Sequence, residues 1–394
     1  GSFALRVNTT GAYNVAVGDK ALDANTTAAN NTAVGYTAAS AVTTGANNTA
    51  IGFSALLVDS TGAENTAIGS YALDASTTGH YNVAVGKAAL GANTTAADNT
   101  AVGTNSLLVN TTGHSNVAVG SNALDANTTA SGNTAVGYNS LGLNTTGSIS
   151  TAVGYVTLAA NTTGANNVAV GSSALTANTT GDGNVGIGNN ALDANTTADG
   201  NTGIGNLSLS TNTTGASNTA VGQNSSFANT TGPNNVAIGL NASYYNETGG
   251  QNVAIGTSAL TGASGQSHTG NVAIGNAAMS VNTTGGSNVA VGTYALDANT
   301  TGANNTAVGA SAFGANITAS NGTALGYGAL VVNTTGASNV AVGAFALDAN
   351  TTASNCNALG LNALGLNTTG AHNNAFGYGA LDANTTAAHN CAFG

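Results

Sequence analysis

Residues 110–126 read NTTGHSNVAVGSNALDA, and residues 127–143 repeat the pattern as NTTASGNTAVGYNSLGL. Written from its first Asn, the repeat is N-T-T-G-A-x-N-[TV]-A-[VI]-G-x-x-A-L-D-A. It recurs every 17 residues, and 23 repeats begin between Asn8 and Asn384. The spacing changes once, because the repeat that begins at Ala263 has 19 residues. Strict internal periodicity of this kind predicts a stacked repeat architecture rather than several globular domains.

Each repeat is predicted to form one coil of a parallel β-solenoid (β-roll), an all-β fold with about 23 coils. A 17-residue repeat is too short for a helix pair or a propeller blade. The strand is expected at positions seven to ten of the repeat, as in Asn14-Val15-Ala16-Val17. Positions eight and ten share one face of a strand. We expect the valine at this face and the leucine at position fifteen to be buried. The A-L-D-A segment is too short to sustain a helix.

A glycine follows the predicted strand in every repeat. The first five of these glycines are Gly18, Gly35, Gly52, Gly69 and Gly86. A glycine without exception indicates a positive φ or a close approach of two backbones. We therefore expect a structural corner at this position, and the NTTG segment is expected to form the turn that closes the coil.

The repeat pattern predicts a single repetitive segment over residues 1–394, with one irregular coil around residues 263–270. The first and last residues, Gly1 and Gly394, occupy the same position of the repeat. This matched phase favours an internal segment of a longer fibre. One coil buries too little apolar surface to offset the entropy of ordering its residues, so coils are expected only in stacks.

Composition excludes several classes of function. Only 4% of the residues are charged, and Arg6, Lys20 and Lys87 are the only Lys and Arg side chains in a chain of net charge −11. This excludes a basic nucleic-acid surface. No run of 18 apolar residues is present, so we expect no membrane span. The spacing of the five histidines gives no metal constellation. We expect no cofactor, no metal and no catalytic residues, because a tiled surface offers no singular concave site.

The N-[TV]-A-[VI]-G motif followed by x-x-A-L, as in residues 116–124, resembles the head repeats of trimeric autotransporter adhesins. It is also similar to NTTG-containing repeats of bacterial surface and tail-fibre proteins. The resemblance implies a left-handed parallel β-roll, a cell-surface or extracellular location and three chains side by side. The repeat departs from the adhesin pattern in its longer coil with a constant NTTG turn. That departure leaves open whether one chain or three chains build the rod.

The NTT segment is also an acceptor for N-linked glycans, N-x-T. Nineteen of the 23 repeats have it at the same corner, and the exceptions begin with Val42, Asp59, Ser76 and Ala263. We expect covalent glycans there because a rod with few charges needs another hydrated coat. The predicted acceptors are Asn8, Asn25, Asn93, Asn110, Asn127, Asn144, Asn161, Asn178, Asn195, Asn212, Asn229, Asn246, Asn282, Asn299, Asn316, Asn333, Asn350, Asn367 and Asn384. Further sequons, with lower expectation, are Asn30, Asn47, Asn206, Asn224, Asn241, Asn304 and Asn321.

A purely structural interpretation of the corner stays open, because stacked Asn and Thr form hydrogen-bonded ladders without sugar. The leading hypothesis is an extracellular structural fibre that displays glycans and self-associates, as a homotrimer or end to end. The alternative is the stalk or head of an adhesin or tail fibre that attaches to a surface. A third hypothesis is ice binding by a two-rank ladder of Asn and Thr.

Overall fold

The computed structural model describes residues 1–394 and consists of 23 three-residue β-strands joined by turns. The chain divides into two compact blocks, Gly1–Asp199 and Gly200–Gly394. The structure contains no helix of the length and apolarity that a membrane span requires. The N-terminal block contains β1 Val15–Val17, β2 Thr32–Val34, β3 Thr49–Ile51, β4 Thr66–Ile68, β5 Val83–Val85, β6 Thr100–Val102, β7 Val117–Val119, β8 Thr134–Val136, β9 Thr151–Val153, β10 Val168–Val170 and β11 Val185–Ile187. The C-terminal block contains β12 Thr202–Ile204, β13 Thr219–Val221, β14 Val236–Ile238, β15 Val253–Ile255, β16 Val272–Ile274, β17 Val289–Val291, β18 Thr306–Val308, β19 Thr323–Leu325, β20 Val340–Val342, β21 Asn357–Leu359, β22 Asn374–Phe376 and β23 Cys391–Phe393.

Within each block every strand pairs in parallel with the strand before it and the strand after it, in register. In β7 and β8, for example, Val117 pairs with Thr134 and Val119 with Val136. The register survives the longer repeat, since Val253 of β15 pairs with Val272 of β16. The prediction of an all-β parallel solenoid with one 17-residue repeat per coil is confirmed. Its handedness and its continuity as one segment stay predictions.

The interior of the coil differs from the expected one. The alanine at position nine points inward and is fully buried, as Ala118 and Ala135 show, whereas positions eight and ten point outward. The expectation of a buried strand valine was therefore wrong. The physical reason is the leucine at position fifteen, which fills the narrow interior. At Gly186, which replaces this alanine, an added Cβ would lie 3.2 Å from Cγ of Leu175. A larger side chain at position nine has no room.

The corner glycine meets both conditions that its invariance predicts. Gly137 has a φ of +132°, and a Cβ there would collide with the carbonyl oxygen of Gly154 in the next coil. Gly69 has a φ of +137°, and a Cβ there would collide with the carbonyl oxygen of Gly86. The corner therefore requires glycine for its backbone conformation and for the close stacking of coils.

Backbone conformation also explains why the core residue at position fifteen is leucine. Leu124 has a φ of 52° and Leu175 has the same value, in the left-handed region. Val and Ile are disfavoured there, although Ile149 and Val156 adopt φ values of 58° and 54° at turn positions, whereas leucine branches one carbon further out. The residues that replace leucine at this position, among them Ala39, Ser243 and Met279, are all unbranched at Cβ. Positions nine, fourteen and fifteen thus form a thin core of alanine and leucine.

Candidate functional site

The asparagine at position one lies inside the coil and forms a ladder along the stack. Nδ2 of Asn161 donates to Oδ1 of Asn144 at 2.9 Å and to the carbonyl oxygen of Gly164 at 2.9 Å. Nδ2 of Asn178 in turn donates to Oδ1 of Asn161 at 2.9 Å. Each amide therefore links one coil to the previous coil and also closes its own NTTG turn. These hydrogen bonds satisfy polar groups that would otherwise be buried without partners.

A second asparagine ladder is formed at position seven. The backbone nitrogen of Asn116 donates to Oδ1 of Asn99 at 3.0 Å. Nδ2 of Asn116 donates to the carbonyl oxygen of Ala130 at 2.9 Å, and Nδ2 of Asn127 reaches the same oxygen at 3.1 Å. The two ladders thus converge on the carbonyl group at position four. Together they place two buried amides in each regular coil.

This geometry bears directly on the predicted glycan acceptors. Every one of them except Asn8 and Asn384 is at most 1% exposed. Where both hydrogen bonds are formed, as at Asn161, neither Nδ2 hydrogen is free and no space is open for a sugar. In the folded coil these amides are buried and engaged in hydrogen bonds. Glycosylation there stays a prediction only for a chain that is modified before its coils form.

Four of the seven sequons with the lower expectation lie at an exposed turn. Position six is an exposed turn residue with a positive φ, and four of its asparagines start an N-x-T sequence whose threonine is at position eight. These residues are Asn30, Asn47, Asn304 and Asn321. The sequence alone gives no indication of this difference, because both corners have equally good acceptor strings.

The threonines of the corner do not form the two-rank surface that ice binding requires. The Oγ1 of Thr162 donates to the carbonyl oxygen of Thr179 in the next coil at 3.0 Å, so the hydroxyl at position two is occupied by the backbone. Thr163 at position three is exposed, but the asparagine rank expected beside it is buried. The surface rank at this corner is therefore threonine alone.

The position-one ladder is interrupted in three successive coils, which begin with Val42, Asp59 and Ser76. Oδ1 of Asp59 accepts from the backbone nitrogen of Gly62 at 2.7 Å, and its Oδ2 lies 3.4 Å from Nδ2 of Asn65. Burial raises the pKa of the Asp59 carboxyl to about 6, against a smaller opposite effect of the backbone hydrogen bonds. The buried hydroxyl of Ser76 has no hydrogen-bond partner.

The longer repeat interrupts the same ladder in the C-terminal block. His268 takes the place of the usual Gly or Ala at position four, and its carbonyl oxygen accepts from Nδ2 of Asn252 at 2.8 Å. Its backbone nitrogen donates to Oδ1 of Asn246 at 3.2 Å. In a regular coil the side-chain amide of the next position-one asparagine is the donor at this place. The imidazole is buried beside Gly262, and neither ring nitrogen has a hydrogen-bond partner. Burial lowers the pKa of His268 to about 4.

The outward face of the strands is an apolar strip. Position ten is Val, Ile, Leu or Phe in every coil, and position eight is Val, Thr, Asn or Cys. Ile51, Ile68 and Val153 at position ten are 36–38% exposed although each is packed between its neighbours. Neither position has a charged residue anywhere in the chain. The strip is therefore uncharged, with an apolar side chain at position ten in every coil and a mixture of Val and polar residues at position eight.

Charged and metal-binding chemistry is sparse. Arg6 and Asp23 form an exposed ion pair, with Nε and Oδ1 3.0 Å apart. No group of three His, Cys, Asp or Glu side chains converges as metal ligands would. No protein-family model matches the chain, and no curated protein matches it either. The geometry therefore identifies the chain as a repetitive parallel β-solenoid, and its function is inferred from its surfaces.

Proposed function

We propose that this chain is part of an extracellular structural fibre whose solenoids associate side by side through the outward face of the strands. The observation that carries the proposal is the uncharged strip at positions eight and ten. The resemblance to adhesin head repeats supports the surface location and an assembly of several chains. The buried amide ladders support the structural role, because they link successive coils by side-chain hydrogen bonds.

The physical basis is the contrast between the two sides of each strand. The inward side has only alanine or glycine, so its contribution to apolar burial is small. The outward side has the larger Val and Ile side chains, and each of them gains roughly 25 cal/mol for every Å² that association removes from water. In-register pairing repeats this gain at every coil. A second solenoid is therefore the partner that best matches a long, regular and uncharged strip.

Sedimentation of the full chain tests the proposal. The wild-type protein should sediment as a multiple of the 37.4 kDa chain. The double variant Ile51→Lys, Ile68→Lys should sediment as a monomer or dissociate at least ten-fold more readily, because charges then face each other across the strip. The matched control Thr44→Lys, Thr61→Lys places the same charges at exposed positions of neighbouring coils and should assemble like the wild type. A wild-type monomer at all concentrations, or equal loss in the control, would contradict the proposal.

A glycan coat belongs to this proposal at position six rather than at position one. Mass spectrometry of protein purified from the cells that produce it should find sugar at Asn30, Asn47, Asn304 or Asn321. An intact mass of 37.4 kDa for this segment would exclude the coat. Sugar at Asn161 would instead show that transfer precedes folding, because the folded ladder has no space for it.

Surface attachment is the second candidate function. It is favoured by one observation, a cluster of three aromatic rings, Phe227, Tyr244 and Tyr245, in the C-terminal block. The fold does not require aromatic residues at positions sixteen and seventeen, where the other coils have different residues. Immobilised chain should bind cells or extracted cell-wall polysaccharide if the cluster serves attachment, and inert beads should bind neither.

A further inference from the structure

The C-terminal block contains an open groove that differs in chemistry from the rest of the surface. It is lined by Asn224, Asn241, Tyr244, Tyr245, Ser258 and Thr261, at positions thirteen, sixteen and seventeen of successive coils. Two other grooves lie at these positions, and both contain carboxylates, Asp297 in one and Asp348 with Asp382 in the other. The groove at Tyr244 and Tyr245 has no charged lining residue.

One wall of the groove is an aromatic platform. The rings of Phe227 and Tyr244 stack with centroids 5.0 Å apart and an interplanar angle of 17°. Tyr245 packs edge-on against Tyr244, with centroids 4.5 Å apart and an angle of 71°. Tyr245 is nevertheless 36% exposed. Because the rings support one another, the platform is rigid before any ligand binds, which lowers the entropic cost of binding.

The local sequence departs from the repeat where the platform forms. Position fifteen is Ser226 and Ser243 in these two coils, in place of the usual leucine, and position sixteen is Phe227 and Tyr244. At position seventeen, where many coils have alanine, this coil has Tyr245. The changes replace core volume by surface aromatic area. A fold that is otherwise uniform gains nothing in stability from losing buried leucine twice.

The other lining residues of the groove supply hydrogen-bonding groups. Nδ2 of Asn224 donates to Oδ1 of Asn241 at 3.2 Å, which fixes the second amide and leaves its Nδ2 directed to other partners. Thr261 Oγ1 donates to the carbonyl oxygen of Ser258 at 2.8 Å. The side-chain hydroxyl of Ser258 has no such bond within the protein. Amide and hydroxyl groups that share a groove with aromatic rings can orient a bound ligand by hydrogen bonds.

The loop of the longer repeat begins directly after Thr261, a lining residue of the groove. Glu247 holds this loop, because its Oε1 accepts from the backbone nitrogen of Gly265 at 2.9 Å. The only carboxylate close to the groove in sequence is therefore engaged by the backbone. All Lys and Arg side chains of the chain lie in the N-terminal block. Neither an anionic nor a cationic ligand would find a counter-charge in the groove.

We propose that this groove binds a neutral oligosaccharide. Such a ligand presents C–H faces that stack on Tyr245 and Tyr244, and hydroxyl groups that exchange hydrogen bonds with Asn241 and Ser258. A charged polymer such as nucleic acid or a sulfated glycan is disfavoured because no cation is available. Saccharide recognition does not depend on lateral assembly, since the groove uses positions thirteen, sixteen and seventeen and the apolar strip uses positions eight and ten.

A printed array of neutral and charged oligosaccharides, probed with the full chain, tests the inference. Binding should be confined to neutral glycans. Tyr245→Ala should weaken the Kd of the best array ligand at least ten-fold, and it introduces a residue that many coils have at this position. Tyr245→Phe should retain binding because the ring stays. Asn241→Ser should weaken binding about five-fold to ten-fold through the lost amide hydrogen bonds.

Tyr138→Ala is the matched control. Tyr138 is an exposed ring of the N-terminal block that stacks on Tyr155 with centroids 5.5 Å apart, but it lies at position twelve, outside the groove. Its removal should leave the Kd unchanged. Absence of binding to every neutral glycan, preference for charged glycans, or equal loss in Tyr138→Ala would each overturn the inference. Sedimentation of Tyr245→Ala should match the wild type, which separates loss of sugar binding from loss of assembly.

Discussion

The N-terminal block contains two regions that share one fold and differ in the position-one ladder. From Asn93 to Asn195 every coil begins with asparagine, whereas the three preceding coils begin with Val42, Asp59 and Ser76. All of these residues are buried, and strand pairing is in register in both regions. Because strand pairing is the same with and without a position-one asparagine, coil geometry does not depend on the position-one ladder. The ladder instead decides how many buried polar groups have partners.

Asparagine is suited to occupy position one in many successive coils. Its amide is both donor and acceptor, so one copy can satisfy the next, as Asn127, Asn144 and Asn161 do. Aspartate lacks the donor and carries a charge, serine is too short to reach the next coil, and valine offers no hydrogen bond. The orphan hydroxyl of Ser76 and the raised pKa of Asp59 are the direct consequences. We expect the interrupted coils to open more readily than the regular coils.

The largest effect is expected at the corner that both regions share. Gly137→Ala and Gly69→Ala should each cost about 3 kcal/mol or more of local stability, because each combines a φ reserved for glycine with a collision in the next coil. Hydrogen exchange of the flanking coils measures the loss. Gly132→Asn, at an open turn position that other coils fill with Asn, should change exchange little. Similar exchange in all three variants would refute the role of the corner.

The next effect tests the regular ladder itself. Asn144→Val should cost roughly 2–4 kcal/mol, because it leaves Oδ1 of Asn127 without its amide donor and Nδ2 of Asn161 without its Oδ1 acceptor. Slower refolding, or faster hydrogen exchange confined to the adjacent coils, would reveal this loss of stability. Thr146→Val, at an exposed position two residues away, serves as the control and should be nearly neutral. A neutral Asn144→Val would mean that the ladder satisfies polar groups without stabilising the stack.

A loss of stability of similar size, which develops only at acidic pH, is expected in the coil of the longer repeat. The unfolded chain binds a proton at His268 near pH 6.5 but the folded chain only near pH 4. Stability of this coil should therefore be intact above pH 6.5 and fall as the pH drops towards 4. His268→Ala introduces a residue common at position four, and it should remove this dependence. Exchange around residues 262–268 that does not change between pH 7 and 4 would contradict the assignment.

A smaller pH dependence is expected at Asp59, where coil stability should fall as the pH rises. Its pKa is raised from 3.8 to about 6, so the folded coil is stabilised relative to the unfolded chain when the carboxyl is protonated. That stability is present below pH 3.8 and lost as the pH rises through 6. Asp59→Asn should raise local stability by roughly 2 kcal/mol at pH 7 and abolish the dependence. The comparison of exchange at pH 5 and pH 7.5 in both proteins measures it. Equal stability of the two proteins at pH 7.5 would show that Asp59 is solvated.

The sequence predicted the parts of the fold that depend on spacing. The 17-residue period, the strand around Val15-Ala16-Val17 and the glycine corner all follow from recurrence, and the structure confirms them. It did not predict which strand face is inside. Alternation separates two faces without orienting them, and hydrophobicity favours burying Val17 over Ala16. The size of the interior, which only the packed leucine reveals, reverses that choice.

The surface was predicted less well than the fold, for a chemical reason. An Asn-Thr-Thr corner is an acceptor string and also a buried hydrogen-bonded turn, and local sequence does not distinguish the two. Val42 was a usable signal, because an apolar residue in the same place indicates burial. The oligosaccharide groove had a weaker signal, the two serines Ser226 and Ser243 at a position where most coils have leucine. Its assembly from three coils is visible only in the structure.

In-register pairing across β15 and β16 shows that two extra residues are accommodated without disturbing the neighbouring strands. Each coil contacts chiefly the coil before it and the coil after it. Gain or loss of one whole repeat by recombination between near-identical gene segments would therefore yield another folded protein of different length. A frame-preserving change of 51 nucleotides corresponds to one 17-residue coil. The length of such a protein is thus free to vary between related genes, while the residues of the aromatic groove must be inherited together.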